Sequence, residues 1–119
     1  MHDRSVLVVE DNPVLAESIT FALTTFGWRV VGPFGSVADA LPEATAGRFS
    51  TAVLDLDLGS ESSLPIAAVL RENSIPFVFL TGHEAGREIP PQFEDETCLS
   101  KPVTPEALVM ELESKIDTA

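Results

Sequence analysis

The sequence predicts a doubly wound α/β domain. Two observations carry that expectation: short apolar runs rich in β-branched residues alternate with segments of helical periodicity, and helix start and stop signals fall between them. A length of 119 residues is that of one such domain, with room for a single core.

Ser5-Val-Leu-Val-Val-Glu10 is a nearly continuous apolar run, as expected of a parallel strand covered on both faces. Asn12-Pro13 then opens a helix, with Asn as cap and Pro in the first turn. Val14, Leu15, Ile19, Phe21, Ala22, Leu23 and Phe26 supply apolar positions until Gly27 stops it. Trp28 to Gly32 reads as a second strand, Ser36 as an N-cap, and Val37, Ala38, Ala40, Leu41 and Ala44 as the apolar side of a helix ending near Gly47. Phe49 to Leu54 gives a third strand ending at Asp55. Pro65 to Leu70 gives a third helix, and Ile75 to Leu80 a fourth strand ending at Thr81-Gly82. The stretch His83 to Phe93 carries Gly86 and Pro90-Pro91, which predict either a short helix or a loop there. Thr97 to Ser100 is a brief fifth strand and Lys101-Pro102 a turn. Thr104-Pro105-Glu106 caps a last helix with Leu108, Val109, Leu112 and Ile116 inward.

Composition excludes several function classes. A formal net charge of −12 repels phosphate backbones, and no Lys/Arg cluster offers the counterion release on which nucleic-acid binding depends. No run approaches the roughly 18 apolar residues of a membrane span, and the N-terminal residues lack a secretory pattern, so the expectation is a soluble, cytoplasmic chain. The single Cys98 cannot form an intrachain disulfide and is expected to be a small buried hydrophobe.

In a doubly wound sheet, ligands gather beyond the carboxyl ends of the strands. Glu10 and Asp11 end the first run, Asp55 and Asp57 the third, Thr81 the fourth and Lys101 the fifth, so all six are expected at one edge. Singly, each has an ordinary reading as a turn acid, a cap or a surface charge. Together they form an inventory for phosphoryl transfer. Crowded carboxylates repel unless a cation lies between them, and hard oxygen donors on loops suit Mg²⁺. A Lys ammonium and a Thr hydroxyl can hold the remaining phosphate oxygens, while a carboxylate can act as nucleophile and form an aspartyl phosphate. Asp55, directly after the buried strand, is the candidate nucleophile.

The segments Val-Val-Glu10-Asp11-Asn, Val-Leu-Asp55, Leu-Thr81-Gly and Ser-Lys101-Pro102 stand in the order and spacing of bacterial response-regulator receiver domains, and the resemblance covers essentially the whole chain. It implies a flavodoxin-like five-stranded parallel sheet of order 2-1-3-4-5; receivers are themselves a standard example of that order. It also implies one receiver domain over residues 1–119, with no output domain after the last helix. By resemblance Asp11 is a direct Mg²⁺ ligand and Glu10 its acidic neighbour, acting through water. Asp55 is the phosphoacceptor, and Asp57 occupies the position whose backbone carbonyl completes the metal shell. Thr81 is the switch hydroxyl, and Lys101 the phosphate-pairing lysine before a typically cis Pro102.

Where many receivers carry a switch Tyr or Phe, this chain has Cys98. Pro76-Phe-Val-Phe-Leu-Thr-Gly-His83, preceded by Asp57-Leu-Gly59, is similar to the Phe-Ala-Thr-Gly ("FAT GUY") subgroup of stand-alone receivers, with Leu80 and His83 as departures. That similarity implies an HWE-type histidine kinase or a histidine phosphotransferase as phosphodonor. It also implies a downstream protein target, or the draining of kinase phosphate, by a monomer or weak dimer that assists its own phosphorylation and dephosphorylation. His83 and Asp57, two residues beyond Thr81 and Asp55, are expected to tune phosphate lifetime, and residues 84–93 to be mobile and become ordered on phosphorylation or binding. Two rival readings remain: a phosphate-independent interaction module on a receiver fold, and a haloacid-dehalogenase-like phosphatase. The second rests on Leu-Asp55-Leu-Asp57-Leu, although such enzymes place that motif on an early strand.

Overall fold

The structure, a computed structural model, describes residues 4–82 and 89–117. Among the described residues, seven strands and four α-helices follow in the order β1 (Ser5–Val9), α1 (Pro13–Thr25), β2 (Arg29–Phe34), α2 (Val37–Ala46), β3 (Thr51–Asp55), β4 (Asp57–Leu58), β5 (Glu61–Ser62), α3 (Leu64–Glu72), β6 (Phe77–Thr81), β7 (Cys98–Ser100) and α4 (Pro105–Asp117). Five of the strands form one sheet of order β2-β1-β3-β6-β7, all parallel, which is the expected flavodoxin-like doubly wound arrangement.

Strand alternation divides the core into two layers. Leu7, Val9, Ala52, Leu54, Phe77 and Phe79 face α2 and α3, packing on Ala40, Ala44, Ile66, Ala67 and Leu70. Val6, Val8, Val53, Val78 and Leu80 face the other way, against Ile19 and Leu23 of α1 and Leu108, Val109, Leu112 and Ile116 of α4. The expected caps are present. Asn12 accepts from Val14 N–H and Leu15 N–H, Ser36 accepts from Asp39 N–H, and Gly47 closes α2 in the left-handed region at φ 67°.

Two expectations are corrected. In α1 the seam against the sheet is Ala16, Ile19 and Leu23, while Val14 and Phe21 are exposed because they lie on the other side of the helix, and Phe26 is exposed as the capping residue just past its end. Cys98 is exposed as well. It lies in a three-residue edge strand where Leu99 turns inward and its neighbours turn outward. In the segment after Asp55, to which the sequence assigns no element, β4 and β5 pair as a small antiparallel hairpin with Leu58 opposite Glu61. His83 and residues 84–88 lie outside the described residues. The remainder of the predicted short helix or loop is a 3-10 turn, Pro91–Phe93. Phe93 is buried edge-on against Phe77 and Phe79, and the Arg71 guanidinium lies over its ring.

Candidate acidic site at the strand ends

Register brings the acidic residues together. Val9 pairs with Leu54 and Asp55 with Leu80, so Glu10, one residue past β1, emerges beside Asp55 at the end of β3. The backbone of Glu10 is anchored by an irregularity in β2. A register shift lets Phe34 carbonyl accept from Glu10 N–H at 2.9 Å. Gly32 makes that bend with φ at 108°, and a Cβ there would meet Val8 carbonyl and Phe34 N at 3.0 Å, so the position requires glycine. On the other side Thr81 pairs with Ser100, and Thr81 carbonyl accepts from Lys101 N–H at 2.8 Å, which starts the lysine side chain from the same edge. The Lys101–Pro102 peptide is cis, as expected.

Glu10 and Asp55 are each only 3% exposed, whereas Asp11 is exposed. Glu10, Asp11 and Asp55 each offer a carboxylate oxygen within 4.8 Å of the others, and no other such group of three occurs among the described residues. Lys101 Nζ sits 3.1 Å from Glu10 Oε1 and 3.2 Å from Asp55 Oδ2. Asp57 N–H donates to Asp55 Oδ1 at 3.2 Å, and Asn12 N–H to Glu10 Oε2 at 3.1 Å. Both Asp55 oxygens therefore have a donor. Glu10 Oε1 is buried with the ammonium beside it and no hydrogen bond of regular geometry. Hard oxygen donors crowded in this way fit a small divalent cation.

Burial, reinforced by a hydrogen bond with Asp55, pushes the Glu10 carboxyl up to about 7, against the opposing pull of Asn12 N–H and the Lys101 charge. For Lys101, burial favours the neutral amine, but the Asp55 and Glu10 charges together outweigh it and raise its pKa. Thr81 is half-buried at the end of β6 and Asp57 exposed at the start of β4. The structure thus brings Glu10, Asp11, Asp55 and Lys101 together, with Thr81 ending the strand beside Asp55 and the Asp57 backbone bonded to it, where the sequence pattern leads one to expect all six at one edge. That pattern did not reveal the hairpin over that edge, where a Cβ on Gly59 would lie 3.5 Å from Asp11 Oδ2, nor the contact of Glu61 with α2. Two-residue strands leave no alternation to read.

No helix among the described residues is long and apolar enough to cross a membrane. Residues 6–113 match the model of the response regulator receiver domain family. The probable transcriptional regulatory protein TcrX of Mycobacterium tuberculosis is 36% identical over 83 residues, covering 68% of this chain and 35% of TcrX. The chain thus spans about a third of the length of the curated relatives it matches. The solution structure of SdrG from Sphingomonas melonis superposes with a TM-score of 0.81 at 34% identity, covering 94% of this chain and 95% of SdrG. The receiver domain of the sensor histidine kinase PA1611 from Pseudomonas aeruginosa, which holds a magnesium ion in its active-site cleft, gives a TM-score of 0.83 at 25% identity, with 97% and 98% covered. Fold, edge chemistry and likeness agree: the chain belongs to the response regulator receiver domain family of two-component systems.

Proposed function

We propose that this chain is a phosphoacceptor of a two-component phosphorelay in which Asp55 takes up a phosphoryl group. The observation that carries the reading is the Lys101 ammonium held between Asp55 and Glu10 within a cluster of three carboxylates. Glu10, Asp11 and Asp55 would hold Mg²⁺, together with the backbone carbonyl of Asp57. Bound Mg²⁺ would supply neutralisation of the negative charge that donor phosphate and carboxylates bring together.

The chain's own groups have distinct roles. An Asp55 carboxylate oxygen attacks phosphorus while the bond to the donor's leaving group breaks, a histidine nitrogen in a kinase or phosphotransferase or an oxygen in a small acyl phosphate. Asp57 N–H orients the nucleophile through Oδ1. Lys101, already beside Oδ2, pairs with the incoming phosphoryl oxygens. Thr81, one residue past the Leu80 that pairs with Asp55, offers a hydroxyl to the same group. Water attack on phosphorus breaks the bond to the Asp55 oxygen, releasing inorganic phosphate and returning the carboxylate, with Asp57 and His83 setting the lifetime of the acyl phosphate.

The FAT GUY-like segment and the exposed Cys98, which takes the place of a switch aromatic, support an HWE-type histidine kinase as donor and a cytoplasmic protein target, or phosphate drainage, as output. Beryllofluoride with Mg²⁺ tests the reading. Amide shifts around Asp55, Thr81 and Lys101 are expected in the wild type and none in Asp55→Asn. Identical spectra with and without the mimic would favour a phosphate-independent module.

A further inference from the structure

Asp11 stands between two walls that come from distant parts of the chain. One is the loop entering α2, where a Cβ on Gly35 would lie 3.6 Å from Asp11 Cα. The other is the β4–β5 hairpin, whose Gly59, at φ 75°, places its Cβ direction 3.5 Å from Asp11 Oδ2. A side chain joins the walls: Glu61 Oε2 accepts from Val37 N–H at 3.0 Å, across 24 residues of sequence. Val37 is the first residue of α2, and the Ser36 side chain accepts only from Asp39 N–H, so Glu61 satisfies a helix-terminal donor that the cap leaves open. A carboxylate is favoured there by the positive end of the helix. The same hairpin begins at Asp57, whose N–H holds Asp55 Oδ1.

We infer that Glu61 is a positioning residue for the cation site. Its bond to α2 locks the hairpin against the Gly35 loop and so fixes Asp11 and the Asp57 backbone in place. This deepens the Mg²⁺ reading above and rests on it. Glu61 is not itself a ligand, since its carboxylate is committed to α2 and stands outside the three-carboxylate group.

The bond can be broken from either end. Glu61→Ala removes the acceptor. Val37→Pro removes the donor at a helix position where proline is well tolerated, and Ser36, at φ −144° and ψ 160°, already has the extended conformation that a residue before proline adopts. The experiment is calorimetric Mg²⁺ titration of the full chain, with amide exchange at Leu58, Glu61 and Ser62 as a second readout. Each single variant is expected to weaken Mg²⁺ binding about tenfold, the lower end for groups that orient metal ligands. The double variant should be no weaker than the worse single, and Glu61→Gln, which keeps an acceptor oxygen, should stay within about twofold. Exchange at the hairpin should rise in the weakened variants. Wild-type binding with Glu61→Ala unchanged, or losses that multiply in the double variant, would overturn the inference alone. Absence of Mg²⁺ binding by the wild type would overturn it together with the reading on which it rests.

Discussion

Replacing Lys101 by Met keeps most of the apolar stem and removes the cation that lies between Glu10 and Asp55. The side chains of those carboxylates are 1% and 5% exposed, and that of Lys101 23%. Stripping the partner from a buried charge costs about 3–5 kcal/mol. Because Lys101 is partly solvated and Glu10 can respond by taking up a proton, the expected loss is smaller, about 2–3 kcal/mol at about pH 8 without metal.

The direction with pH follows from Glu10. Its carboxyl titrates near 7 in the folded state against 4.5 when free, so the folded state holds an extra proton between those values. That contribution to stability is complete below the unfolded value and is lost as pH rises through the folded one. Lys101 lowers the folded value, so removing the ammonium raises it further. The variant's deficit should therefore be modest, about 1 kcal/mol, at about pH 5 and should open toward about pH 8. Urea unfolding with chelator at both pH values reads it directly. With a slope of about 1.5 kcal/mol/M, the midpoint should fall by about 1.3–2 M at the higher pH. An equal deficit at both pH values, with unchanged slopes, would refute the coupling of Lys101 to Glu10.

Two further outcomes follow from the same geometry. Below about pH 7, Mg²⁺ must displace the proton that Glu10 holds, so calorimetry in two buffers of different ionisation enthalpy should show proton release in the wild type and none in Glu10→Gln; equal apparent enthalpies in the wild type would contradict this. Phe93→Ala removes a ring that is 2% exposed, with centroids 6.4 Å and 6.1 Å from those of Phe77 and Phe79, and should cost about 3–4 kcal/mol in urea unfolding, whereas Arg71→Ala, which loses the stacking contact and the Glu96 ion pair, should cost about 1 kcal/mol; similar small losses for both would show that Phe93 is not a core residue.

Most of the architecture was legible because its signals are local. Asn12-Pro13, Ser36, Gly47 and Thr104 act through bonds within a turn or two of themselves, and the covered strands are continuous apolar runs. The site was legible for a topological reason: parallel strands end at one edge, so the residues that punctuate β1, β3, β6 and β7 must meet there. Residues whose environment depends on distant chain were not legible. Val14 and Phe21 are as apolar as Ile19 and Leu23, and only docking against the sheet decides which side of α1 is covered. Cys98 is exposed because β7 is an edge strand, a property of strand order rather than of the residue. Glu61 reads as one acid among nineteen until the fold brings it to the N-terminus of α2. The bend at Gly32-Pro33, which aligns Phe34 carbonyl with Glu10 N–H, likewise acquires meaning only from the neighbouring strand.

The central claim, that Asp55 accepts a phosphoryl group with the help of a divalent cation, is tested most directly by weighing the intact protein after incubation with acetyl phosphate. Wild type and Asp55→Asn are compared, each with and without Mg²⁺. A single phosphoryl adduct in the wild type, dependent on Mg²⁺ and missing from Asp55→Asn, is the expected result. An adduct of equal abundance in Asp55→Asn, or none in the wild type with acetyl phosphate or with a phosphorylated histidine kinase as donor, would contradict it.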